Sequence, residues 1–286
     1  MGEYKEIKTN DFINITDKEF NMLKDYIYKH IGINLTDQKK ALVTGRLQKS
    51  LRKHKLKNFK EYNEFLKADK SGRELSELAN NISTNHTFFG REKEHFDFFF
   101  QKTLPEIKAR HESLNNNDIR VWCAGCSTGE ESYTILMNMM EYLSPNYHNW
   151  NAGLLATDIS LRALEIAKKG VYSKDKLDKI NPTWVKRYFT DTGTGEYEVK
   201  DILRKETTFG RFNLMNPKFP FKKKFDAIFC RNVMIYFDKP TRDKLVNKFY
   251  DLLVNGGYLF IGHYETISRG ATKFKFIKPA LYQKDE

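Results

Sequence analysis

The chain lacks any run approaching the roughly 20 consecutive apolar residues that a membrane-spanning helix needs. Its opening stretch, residues 1–11, is charged and carries no apolar core of the kind found in a secretory leader. Gly2 does not begin a myristoylation motif, because Glu6 stands where that motif requires Ser or Thr. These absences point to a cytoplasmic protein. Cysteine is scarce: three residues in 286 exclude a disulfide-stapled scaffold. Two of them form Cys123-Ala124-Gly125-Cys126, a spacing open to redox chemistry at a strand-to-helix junction. No second pair follows to complete a zinc site, so no metal is expected. Acidic residues number 37 against 49 Lys and Arg, a formal charge of +12. That excess favours an acidic partner, whether nucleic acid, anionic membrane or protein surface, and does not choose among them.

What is present first is helical periodicity. Thr16-Asp17-Lys18-Glu19 is a capping box, with Ile15 and Phe20 placed as its hydrophobic staple. Phe20, Leu23, Ile27 and Ile31 follow at helical spacing until Gly32. A second helix is predicted over residues 37–53, with Val43, Leu47 and Leu51 a turn apart. A third carries Phe59, Tyr62, Phe65 and Leu66, and a fourth Leu75, Leu78, Ala79 and Ile82. Residues 1–84 therefore read as a small all-helical domain. Its basic residues concentrate at Lys39, Lys40, Arg46, Lys49, Arg52, Lys53, Lys55 and Lys57, with no acid between them. Surface helices ordinarily mix signs to gain i,i+4 pairs. The run is either a solvated face or a partner surface, and Arg46, Lys49, Arg52 and Lys53 are its candidate binding residues.

A linker, residues 85–118, holds one helix with Phe96, Phe99, Phe100, Leu104 and Ile107 inward, then a polar loop at 113–118. From residue 119 to 286 strand-like and helix-like segments alternate. Strands are read at 119–124, 153–157, 225–230 and 257–262, with helices after Gly129, from Leu161 and from Thr241. The pattern predicts an α/β domain with a parallel sheet. Residues 170–211 interrupt it and read as a small antiparallel insertion turning at Gly193-Thr194-Gly195.

The chemistry gathers at the predicted strand ends. The run Val121-Trp122-Cys123-Ala124-Gly125-Cys126-Ser127-Thr128-Gly129 is a strand entering a glycine turn, as in nucleotide-binding α/β folds. A phosphate-binding turn would reject acids at the helix start, yet Glu130 and Glu131 stand there and no Gly-Lys-Ser/Thr follows. The ligand should be cationic near the turn and free of phosphates, which fits the sulfonium and ammonium groups of S-adenosylmethionine. Asp158, at the tip of the next strand, is placed to accept ribose hydroxyls, the alternative being an N-cap for the helix that follows. Arg231, Asn232 and Tyr236 follow the 225–230 strand on the side where open α/β sheets bind ligands.

Four runs make a specific resemblance: residues 83–92 (Ser-Thr-Asn-His-Thr-Phe-Phe-Gly-Arg-Glu), 127–133 (Ser-Thr-Gly-Glu-Glu-Ser-Tyr), 230–238 (Cys-Arg-Asn-Val-Met-Ile-Tyr-Phe-Asp) and 262–265 (Gly-His-Tyr-Glu). Over nearly its whole length the chain resembles the CheR family of chemotaxis receptor methyltransferases. The resemblance implies a Rossmann-like S-adenosylmethionine-dependent methyltransferase domain with an inserted β subdomain, preceded by an all-α receptor-recognition domain. It implies that Asn85, Thr87 and Arg91 enter the cofactor site from the linker. Glu131 would meet the methionine end and Asp158 the ribose, with Asn213, Leu214, Arg231 and Asn232 lining the rest. The implied reaction moves a methyl group to glutamate carboxylates of methyl-accepting chemotaxis receptors, by a monomeric enzyme that neither binds nucleic acid nor inserts into membrane. Ser132 stands where the family usually has Pro, and Tyr264 where Ser is common, so the pocket rim is open to change.

A glutamate carboxylate, with a pKa of about 4.3, is already ionised at neutral pH and needs no general base. Catalysis is then mainly positioning, with Arg91 and Tyr236 as candidate catalytic residues. Arg91 has a second candidate role, binding the cofactor carboxylate. Two other readings stand beside this one. A nucleic-acid methyltransferase is suggested by the charge and by Asn216-Pro217-Lys218-Phe219, although that box precedes the strand it should follow. A non-catalytic cofactor-binding sensor is the other. The family resemblance leaves a receptor-tethering role for the insertion open; its short turn at residues 192–195 speaks against one.

Overall fold

A computed structural model describes residues 12–268 and 270–285. The readings made on residues 1–11 lie outside the described residues. The chain forms two compact units, Met1–Ser83 and Thr84–Glu286.

In the first unit the capping box forms as its residue types require: Thr16 Oγ1 accepts from Glu19 N at 3.3 Å, and Glu19 Oε2 accepts from Thr16 N at 2.9 Å. Helix α1, Asp17–Ile31, buries Phe20, Leu23, Ile27 and Ile31 and stops at Gly32 with φ 79°. The second helix starts later than expected. Residues Asp37–Lys39 form a 3₁₀ turn, and α2 spans Lys40–Lys53 with Val43, Leu47 and Leu51 fully buried. Two ion pairs flank that start, Lys24 with Asp37 at 3.1 Å and Lys40 with Asp17 at 2.6 Å. Helix α3, Phe59–Ala68, is capped by Asn58, and α4 is Arg73–Ile82. Arg46 is not a free surface charge: its guanidinium donates to Ile82 O at 2.7 Å and Ser83 O at 3.2 Å, satisfying carbonyls at the end of α4. Lys49, Arg52 and Lys53 are exposed.

The second unit opens with α5, Lys93–Phe98, a π-helical turn Phe99–Thr103, and α6, Leu104–Ser113. Its centre is a sheet containing β1 (Val121–Ala124), β2 (Leu154–Asp158), β6 (Thr207–Arg211), β7 (Phe225–Cys230), β8 (Leu253–Ile261), β9 (Lys275–Lys278) and β10 (Leu281–Gln283). The order is β6-β2-β1-β7-β8-β10-β9. The pairings are parallel from β6 to β8 and antiparallel at β8-β10 and β10-β9. The sheet is mixed, not purely parallel, because the chain returns through a hairpin after β8. Helices α7 (Glu130–Leu143), α8 (Leu161–Lys169) and α11 (Lys239–Leu252) supply the crossovers.

Burial on both faces explains the unbroken apolar runs. Cys123, Phe229 and Phe260 face one core with Phe96, Phe99 and Ile107, while Trp122, Ile228 and Leu259 face the other with Leu245, Val246 and Phe249. The alternation is the two-residue period of a strand. Asp226, at the base of β7, is 2% exposed and accepts from Arg110 Nη2 (2.6 Å), His111 Nε2 (2.8 Å) and Arg120 N (2.8 Å), tying α6 to the sheet.

The insertion is a three-stranded antiparallel sheet ordered β3-β5-β4, from Val171–Ser173, Glu196–Val199 and Phe189–Asp191, with α9 (Pro182–Tyr188) before β4 and α10 (Asp201–Arg204) after β5. It is shorter than the expected 170–211. Residues Thr207–Arg211 belong to the main sheet, where β6 pairs in parallel with β2 from Leu154 to Asp158. Among the described residues no helix is long and apolar enough to cross a membrane.

Candidate functional site

The carboxyl ends of β6, β2, β1 and β7 lie side by side, and the turns leaving them are held in conformations a free chain avoids. Gly125, Ser127 and Gly129 all have positive φ. At Gly125 a side chain is excluded: a Cβ would overlap Val233 Cγ2 in the loop after β7. Ser127, at φ 49°, bears the strain of a residue with a Cβ. Asp158 supplies the restraint, its Oδ2 accepting from Ser127 N at 2.8 Å. Its other oxygen accepts from Ser160 N at 2.8 Å, and the N-cap of α8 is Ser160. Asp158 is thus a strand-tip carboxylate, not a cap. Burial pushes its pKa up, against the opposing pull of the Ser160, Ser127 and Ile159 N–H groups. Asn213 and Leu214 follow β6, whose exit is joined to Asp158 by a bond from Phe212 N to Asp158 O at 2.9 Å.

The two acids at the start of α7 part company. Glu130 turns inward, 1% exposed, and takes Thr128 Oγ1 at 2.6 Å and Lys176 of the insertion at 3.3 Å. Glu131 takes Arg231 Nη1 at 2.7 Å. Each of the two acids thus has a protein cation of its own. Burial raises the Glu131 carboxyl, and Arg231 opposes that rise. Among the described residues, Asp158 has no side-chain cation in ion-pair reach.

The Arg231 side chain is fully buried. Its second arm donates to Glu92 Oε2 at 3.0 Å and to Arg91 O, and the guanidinium lies 5.1 Å over the Phe96 ring. Glu92 also accepts from Asn232 Nδ2 at 3.2 Å. The linker loop is pinned along its length: Tyr236 bonds to Thr84 N and O (3.2 and 3.3 Å), Lys176 to Thr87 O (3.0 Å), and Arg231 to residues 91 and 92. Arg91 folds back to His86 O at 2.9 Å, and Asn85 is exposed. The Tyr236 hydroxyl is therefore engaged by the linker. To touch a substrate it must share or exchange that bond.

Glu265 was not singled out from sequence. It is 2% exposed, and it accepts from Asn232 N and Ile235 N at 3.1 Å each and from Gly262 N. It holds Asn232 at φ 58° while Gly262, where a Cβ would overlap Asn232 Nδ2, lets the loops close. Glu92 was likewise unassigned. Both lie within the recognised runs, but nothing in their spacing indicates contact with residues 231 and 232.

The other sequence features resolve simply. The thiols of Cys123, Cys126 and Cys230 are free and buried, and burial pushes each well up, so none is poised for redox exchange. Ser132 is buried, and Tyr264 projects into solvent at 88% exposure. Asn216 and Phe219 precede β7; Phe219 packs against Trp122 of β1 and under Lys248, whose Nζ also donates to Asn216 O at 2.6 Å.

The cleft's charges decide what fits. Its glycine turn allows close approach, no Lys or Arg of the turn offers a phosphate clamp, and the Asp158 oxygens accept from backbone N–H groups. The buried Ser127 Oγ and Arg231 Nε have no partners of their own. A phosphate-free nucleoside is compatible with this lining, and the domain is an S-adenosylmethionine-dependent methyltransferase. Comparison with known proteins agrees. Residues 85–282 match the CheR methyltransferase, SAM binding domain, and residues 18–83 match the CheR methyltransferase, all-alpha domain. The chain belongs to the CheR methyltransferase family. It is 46% identical over 279 residues to the chemotaxis protein methyltransferase of Borreliella burgdorferi, covering 97% of this chain and 98% of that one. It is 38% identical over 253 residues to the probable chemotaxis protein methyltransferase of Rhizobium etli (87% and 92% covered). For the chemotaxis protein methyltransferase of Escherichia coli the figure is 33% over 280 residues (96% and 94%).

Replacing Glu265 with Gln would set an amide NH₂ against backbone donors that now meet a carboxylate. Glu265→Gln is expected to lower stability by about 1–3 kcal/mol, the cost of leaving buried donors unmatched, measured by urea unfolding. Wild-type stability would remove Glu265 from the role of loop anchor.

Proposed function

We propose that this enzyme esterifies glutamate side chains of methyl-accepting chemotaxis receptors for sensory adaptation. The observation that carries the reading is that relatives spanning nearly the whole chain at 33–46% identity are chemotaxis methyltransferases. S-adenosylmethionine, when bound, supplies a methyl group on a sulfonium that is electrophilic without acid assistance. Asp158 would hold its ribose, and Glu131, Arg231, Asn232, Asn213, Leu214, Asn85 and Thr87 would line the remainder. The incoming glutamate oxygen is already an anion and would need no base from the protein to accept that methyl group. The protein's part is to aim that carboxylate and exclude water. Arg91 and Tyr236 are the residues we assign to aiming it. Arg91 must not bind the ground state too tightly, because only interactions stronger in the transition state speed the reaction.

The basic face of α2 is assigned to the receptor, whose unmethylated glutamates make an acidic surface. Arg46 contributes there only in part, since it also closes α4. Lys49, Arg52 and Lys53 share one exposed face, with no ion pair among the described residues. Attraction of this kind fades with ionic strength.

Incubation with labelled cofactor and receptor-containing membranes, followed by base, should release volatile methanol, the signature of a carboxyl methyl ester. Stable label on protein nitrogen or nucleic acid would contradict the reading. In the same assay, reversing Lys49, Arg52 and Lys53 to Glu should reduce methylation sharply at low salt while cofactor affinity holds. A wild-type rate would make the face merely solvated. Asp158→Ala should weaken S-adenosylmethionine and S-adenosylhomocysteine alike by about 1–3 kcal/mol; unchanged calorimetric affinity would remove Asp158 from the site.

A further inference from the structure

Beside the cofactor cleft, three side chains form a donor set that the reaction above does not use. Glu92 and His95 lie three residues apart at the start of α5, and the exit of β8 brings His263 to them. His95 Nδ1 is 3.4 Å from Glu92 Oε2. The two imidazoles meet edge to face, centroids 4.7 Å apart. One ligand atom from each of the three residues lies within 4.8 Å of the other two. His95 is 1% exposed, yet neither ring nitrogen has a hydrogen-bond partner. Buried polar atoms are rarely left so, and a bound ion would satisfy one of them.

The geometry is close to what a metal needs. Donors about 2.0–2.1 Å from a tetrahedral zinc are separated by roughly 3.4 Å. Glu92 and His95 already stand at that spacing, and the His263 ring, 40% exposed, packs directly against His95. Charge also permits it. Glu92 and Glu131 share one guanidinium, Arg231, and Glu94 stands 3.8 Å from His263 Nε2, so three acids stand against the two cations Arg231 and Lys278. Glu92, Glu94 and His263 line a cavity of about 860 Å³, which gives an ion a path in.

We propose that Glu92, His95 and His263 bind a divalent transition-metal ion, and that this ion opposes cofactor binding by drawing Glu92 away from Arg231 and Asn232. Two imidazoles and a carboxylate suit zinc. An ion on Glu92 would draw it from Arg231 at 3.0 Å and Asn232 at 3.2 Å. The competition rests on the assignment of those two residues to the cofactor, whereas the metal binding does not.

The test is calorimetric titration of zinc into the chelator-free full chain at neutral pH, with and without S-adenosylhomocysteine, for wild type and His263→Gln. One zinc per chain is expected. The variant should bind it more weakly by roughly tenfold or more, at least what loss of an outer-shell partner costs. Saturating zinc should weaken S-adenosylhomocysteine by about fivefold or more in wild type, and zinc by the same factor in return, with no such effect in the variant. No zinc binding, or equal binding by the variant, overturns the site. Binding through His263 that leaves S-adenosylhomocysteine affinity unchanged overturns the competition. Failure of S-adenosylhomocysteine to bind without zinc would overturn the cofactor assignment and the competition with it, and leave the metal result intact.

Discussion

The guanidinium of Arg231 is withdrawn from solvent and shared between Glu131 and Glu92, and the parts of the cleft take their places around it. One carboxylate opens α7, the other closes the linker loop, and the arginine itself ends β7. Three segments, with Arg231 100 residues from Glu131 and 139 from Glu92, are thereby held at one point. Burying such a group is favourable only when its partners are in place, and removing one partner from a buried pair costs about 3–5 kcal/mol. The network is a poor source of stability and a strong source of definition.

Around that point the backbone is kept in unfavourable conformations by specific acceptors. Ser127, Glu92 and Asn232 carry side chains at positive φ, at 49°, 56° and 58°. Asp158 restrains the first, Glu265 the third, and Arg231 grips both the side chain of Glu92 and the carbonyl before it. Strain of about 1–3 kcal/mol per residue persists only where surroundings over-determine it. Here the surroundings are Asp158, Glu265 and Arg231, so each of them has a structural duty beside any ligand it meets.

Much of this was legible in the residues. The capping box, the Gly32 stop and the Val43-Leu47-Leu51 stripe are local patterns, and local patterns fold as read. Strand β7 has its predicted limits, because a run buried on both faces ends where polar residues begin. What could not be read depends on pairing across the chain. Thr207–Arg211 looks like part of an antiparallel insertion until β2 is seen beside it. The mixed edge of the sheet depends on a hairpin return, and the fates of Glu130, Arg46 and Tyr236 were set by Lys176, the end of α4 and Thr84. Glu265 sits only three residues from Gly262, yet its partners at 232 and 235 were invisible to spacing.

If the shared guanidinium shapes the cleft, a point charge cannot replace it, because lysine lacks the planar fork that spans two carboxylates. Calorimetric titration of S-adenosylhomocysteine into Arg231→Lys, with circular dichroism as the check on folding, tests this most directly. The expected result is a folded protein whose affinity has fallen by about tenfold or more, roughly 1.4 kcal/mol. A folded Arg231→Lys protein binding S-adenosylhomocysteine as tightly as wild type would contradict the account.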